Sequence, residues 1–105
     1  MKDGPTPLTI AAQHGRRAAM SLLIRSGADV NGAEGSGATA VYIAAQEGQL
    51  ESLLLLVKAR ANLDQATPAD GFTPCYIAAQ EGQVEALQML VDYGADVNKV
   101  RHCML

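Results

Sequence analysis

A chain of 105 residues and 11.0 kDa has room for one domain, and its formal charge of −3 with a pI near 5.2 leaves no basic face for a phosphate backbone. About half of the residues are apolar, but only four are aromatic, so a core built from Ala and Leu on closely packed small helices is expected. Two cysteines, Cys75 and Cys103, fit no metal or redox spacing and are too few for a disulfide scaffold, which points to a reducing, intracellular setting in the cytoplasm or nucleus.

The chain opens with Lys2-Asp3-Gly4-Pro5, which is turn chemistry without the apolar run of a signal peptide. Thr6-Pro7 then predicts a helix start: a threonine that caps free N–H groups, followed by a proline whose fixed φ suits the first helical position. Thr39-Ala40 and Thr73-Pro74 repeat that start. Each first helix is short, about eight residues, and stops at Gly15, Gly48 or Gly82, where a left-handed conformation costs glycine little. Its alanine pairs, Ala11-Ala12, Ala44-Ala45 and Ala78-Ala79, let a neighbouring helix approach closely.

A second helix follows in each copy, roughly 17–26, 50–59 and 84–93, with apolar residues at Met20-Leu23-Ile24, Leu53-Leu56-Val57 and Leu87-Leu90-Val91. Spacings of three and four put these on one face, and burying three such side chains contributes about 5–8 kcal/mol per copy before entropy is charged. Leu53 to Val57 is too short to cross a bilayer. The second helices stop at Gly27 and Gly94, each followed by Ala-Asp-Val-Asn. Arg60 holds the equivalent place in the middle copy, so that turn is either strained by about 1 kcal/mol or closed differently. Residues 31–38 and 64–72 read as loops or hairpin tips. Thr67-Pro68 has the form of a proline-directed kinase acceptor, although such pairs are far more often plain loop.

Threonines 6, 39 and 73 set periods of 33 and 34 residues, and Gly15, Gly48 and Gly82 give the same two values. The octapeptide Tyr42-Ile-Ala-Ala-Gln-Glu-Gly-Gln49 returns unchanged at 76–83. With Thr73-Pro74-Cys75-Tyr76, Ala78-Ala79, Gly82 and Gly94-Ala95-Asp96-Val97-Asn98, this pattern resembles the ankyrin repeat. The resemblance implies an all-α solenoid of stacked antiparallel helix pairs joined by β-hairpin or turn fingers. It divides a single domain, residues 1–105, into repeats at about 2–34, 35–68 and 69–101, with a tail at 102–105. The family's signature histidine is replaced by Thr9, Tyr42 and Tyr76, so the tyrosine hydroxyls are expected to reach a backbone group instead. Cys75 is expected as a small buried hydrophobe. Arg17, in place of Leu50 and Val84, reads as partial polar capping of the first repeat.

No catalytic, cofactor or metal site is expected, because the glycines follow the repeat and the histidines, His14 and His102, stand apart. The resemblance implies instead a module that binds another protein, with no nucleic acid and no membrane involved, through the finger tips and the exposed side of the first helices. Those positions are Lys2, Asp3 and Pro5; Gly35, Ser36 and Ala38; Ala69, Asp70 and Phe72; Gln13 and His14; Gln46 and Glu47; Gln80 and Glu81; and Ser26, Ala59 and Tyr93. Phe72 and Tyr93 are the expected anchors, with Phe72 folded back onto the base of its own loop as the equal alternative, and the Gln/Glu pairs an acidic floor. The alternative is end-to-end self-association through the third repeat, which ends in apolar Val100 and Met104-Leu105. The near-identity of copies two and three also fits an engineered or excised array.

Overall fold

Six helices in three antiparallel pairs account for the regular structure of the computed structural model, which describes residues 4–68 and 70–98. They are α1 (Pro7–Gln13), α2 (Arg17–Arg25), α3 (Ala40–Glu47), α4 (Leu50–Lys58), α5 (Pro74–Gln80) and α6 (Val84–Asp92). Lys2, Asp3, Ala69, Val100 and the tail residues discussed above lie outside the described residues.

The helix starts follow from the threonines. Thr6, Thr39 and Thr73 are extended, and each side chain accepts from the N–H three residues on. In the first repeat the cap is reciprocal, because Thr9 Oγ1 also accepts from the Thr6 N–H at 2.8 Å. Thr9 thus supplies the link expected of the family histidine. Tyr42 and Tyr76 do not: among the described residues their hydroxyls make no hydrogen bond to backbone, since the phenol is too long to fold back on its own first turn. Helix stops are equally uniform. A residue with positive φ follows each helix, and the N–H of the residue after it bonds back over the turn, as from Gln49 to Ala44 O at 2.9 Å and from Ala61 to Leu56 O at 3.0 Å.

Packing runs along two rows. α1, α3 and α5 lie side by side, with Ala12, Ala44, Ala45 and Ala78 fully buried, while α2, α4 and α6 form a looser row behind them. The closer approach in the first row follows from its alanines. Met20, Leu53, Leu56 and Leu90 fill the space between rows. Leu87 is only half-buried and Val91 exposed, since no described element covers them.

The fingers differ from hairpins. Among the described residues the only β pairing is the isolated bridge Ala33–Thr39, supported by a bond from Glu34 N–H to Ala38 O at 3.0 Å. Glycines in so short a loop, and Pro68 in the second finger, leave too few paired residues for strands. The second finger closes through Thr67, whose N–H donates to Phe72 O at 2.9 Å and whose Oγ1 accepts from the Phe72 N–H at 3.2 Å. Thr67 is buried in that role and is not presented to a kinase. The capping role expected of Arg17 is also corrected. Its guanidinium reaches Glu51 at 3.5 Å, toward the second repeat, and the outer side of the first repeat exposes Ile10 and Leu22 instead.

Candidate partner-binding surface

Repetition places equivalent side chains in rows. Gln13, Gln46 and Gln80 occupy one position near the ends of α1, α3 and α5, and His14, Glu47 and Glu81 occupy the next. All are exposed except Gln46, which is half-buried. The repeats are held in register beneath this row by two matching bonds: Gln49 Nε2 donates to Gln13 O, and Gln83 Nε2 to Gln46 O, each at 3.0 Å. Asparagine and aspartate do the same work at the far ends of the second helices. Asn31 Oδ1 accepts from the Asn62 N–H at 2.7 Å, and Asp64 Oδ1 from the Asp96 N–H at 2.9 Å.

The second finger meets the third repeat at an aromatic step. The rings of Phe72 and Tyr76 stack with centroids 4.2 Å apart and planes 22° from parallel. The neighbouring Tyr42 hydroxyl has its pKa raised, first by burial and then by the negative charges of Asp70 and Glu81 and by Tyr76. Asp70, Glu81, Tyr42 and Tyr76 therefore share one electrostatic environment, which connects the finger to the helix row. Cys75 is buried beside this region, and burial followed by Asp64 and Asp96 holds its thiol above the ordinary value, so it is a poor nucleophile.

The remaining expected positions scatter. Pro5, Gly35 and Ser36 are exposed around the first finger, where the Gly35 N–H donates to Gly4 O at 3.3 Å and Ser36 Oγ donates to Glu34 at 3.0 Å. Ala38 belongs to the core and offers nothing to a partner, because it sits at the foot of the finger. Ser26 and Tyr93 are exposed and Ala59 half-buried at the ends of the second helices, and no described contact joins Tyr93 to Phe72. Tyr76, half-buried, is the addition that the sequence reading missed as a contributor to the surface, whereas Tyr42 belongs to the core. The i+4 relation of Tyr76 to Gln80 was the available signal.

Among the described residues no group of three or more His, Cys, Asp or Glu side chains is placed to hold a metal, and no helix is long and apolar enough to cross a membrane. A family model of ankyrin repeats in three copies matches residues 1–67 and 32–101. No curated protein matches the chain.

Proposed function

The chain belongs to the ankyrin-repeat family, whose members are generally non-catalytic protein-interaction modules, and from that premise we propose that it captures a partner protein through the face formed by the first helices and the second finger. The segment it takes is cationic. The observation that carries this reading is the half-buried Phe72–Tyr76 stack, flanked along the chain by the exposed carboxylates of Asp70 and Glu81. A lysine or arginine entering there gains both charge attraction and a ring face.

Glu47 and Glu81 support the same reading from their cost. Each stands at the C-terminal end of a first helix, where the macrodipole disfavours a carboxylate by about 0.3–1 kcal/mol. Folding gains nothing from them there, whereas a basic ligand does. Gln46 and Gln80 flank them with amide groups for backbone recognition, and the free, buried Cys75 fits a reducing intracellular setting.

Affinity capture from cell lysate tests the proposal. The expected result is that Phe72→Ala combined with Glu81→Lys removes proteins that the unaltered chain retains, with a loss of about 2 kcal/mol, or about 30-fold in Kd, once a partner is purified. Because Phe72 packs on Tyr76, the single change Glu81→Lys, at an exposed position, serves as the fold-neutral arm. Unaltered capture by both variants would reject this surface.

A further inference from the structure

The faces that internal repeats bury against one another stand open at both ends of the stack. Ile43 and Ile77 are 7% and 4% exposed, while their counterpart Ile10 is 39% exposed. Ala19 is exposed where Ser52 and Ala86 are buried, and Leu22 is 58% exposed where Leu55 and Met89 are half-buried. Together with Pro7, Ala11 and Leu23 these residues line an apolar groove on the outer side of α1 and α2, rimmed by His14 and Arg16. At the opposite end Ala79 is exposed where Ala12 and Ala45 are fully covered, and Val97 is 57% exposed.

Each end carries the half of the repeat interface that the other end lacks. The step that seats the second repeat on the first, and the third on the second, would equally seat the first repeat of another molecule on the third. The linking bonds have counterparts as well. Arg16 stands where Gln49 and Gln83 donate to the carbonyls of Gln13 and Gln46. The corresponding carbonyl is that of Gln80, beside Gly82, which has nothing within 4 Å of its missing side chain, whereas Gly15 and Gly48 have Gln49 and Gln83 against theirs. Asn98 repeats Asn31 and Asp64, whose side chains accept a backbone N–H from the next repeat.

Charge selects a second copy of this chain as the occupant. In residues 2–34, Lys2, Arg16, Arg17 and Arg25 against Asp3, Asp29 and Glu34 leave +1. In residues 69–101, Lys99 and Arg101 against Asp70, Glu81, Glu85, Asp92 and Asp96 leave −3. Head-to-tail contact joins opposite signs, whereas a tail-to-tail contact sets two acidic ends together. We propose that the chain associates head to tail, the open face of its first repeat seating on the third repeat of another copy. The contact is heterologous and does not close on itself, so it builds linear oligomers.

Sedimentation of the full chain over a concentration series tests this. The mean mass rises from 11.0 kDa past that of a dimer, and falls again as salt is raised from about 0.05 M to about 0.5 M. Leu22→Glu blocks the head and Ala79→Arg the tail, both at exposed positions. Each variant alone is monomeric, with association weakened at least about tenfold, and a mixture of the two gives a dimer that grows no further. Circular dichroism and thermal melting check that both variants fold. A monomeric wild-type chain at every concentration overturns the proposal irrespective of the variants. So does a folded single variant that still dimerises by itself, since that marks head-to-head or tail-to-tail contact.

Discussion

Arg60 takes φ 65° at the turn where Gly27 and Gly94 take 97° and 98°. The turn still closes, with Arg60 N–H on Val57 O at 3.0 Å and Ala61 N–H on Leu56 O at 3.0 Å, so the bulky residue is forced into the glycine conformation and not around it. Of the two alternatives the sequence left open, strain is the one realised. Arg60→Gly is therefore expected to raise stability by about 1 kcal/mol, less the extra freedom glycine gives the unfolded chain, which urea titration measures as a higher midpoint at unchanged slope. Ser52 shows the opposite case, a residue whose meaning the sequence hid. Its hydroxyl is buried with no hydrogen-bond partner among the described residues, although Ala19 and Ala86 hold the equivalent positions. Periodicity identified the position but could not say how deeply it is buried, because depth depends on the neighbouring repeat.

Helix boundaries were legible because the signals are local. Threonine caps, prolines and stop glycines act within a few residues, and the six helices end within about one residue of the positions these signals mark. What joins the elements was not legible, since the Gln49–Gln13 and Gln83–Gln46 bonds depend on how far one repeat is displaced from the next. The fingers, for the same reason, were read as possible hairpins where a single bridge forms. Gly48 and Gly82 separate the two kinds of information. Both have φ near 70°, but a Cβ at Gly48 would lie 2.5 Å from Gln83 Oε1, whereas Gly82 is open. Gly82→Ala is expected to cost only backbone strain, about 1 kcal/mol. Gly48→Ala adds the displaced Gln83 bond, for a total of about 2 kcal/mol. Equal thermal shifts in the two variants would show that the glutamine link carries no stability.

At the scale of the whole molecule each repeat leans only on its neighbours, so any charge that develops at a boundary acts on the entire stack. The boundary between the second and third repeats holds, among the described residues, two groups whose ionisation the fold opposes. Cys75, ordinarily titrating at 9.0, is shifted upward by burial and then by Asp64 and Asp96, and Tyr42, ordinarily at 10.0, by burial and then by Asp70, Glu81 and Tyr76. The folded chain therefore keeps protons that the unfolded chain releases, and stability must fall as pH rises above those ordinary values. Below pH 9 the contribution is complete; above it the loss begins with Cys75, and Tyr42 adds to it above pH 10. Cys75→Val, which places at this site the residue found at Val41, removes the first part of the loss without opening the core. Melting temperatures measured from pH 7 upward are expected to decline later in that variant than in the unaltered chain. Parallel decline in both would mean that the Cys75 thiol contributes nothing measurable and that the loss belongs to the other groups titrating there, Tyr42 among them.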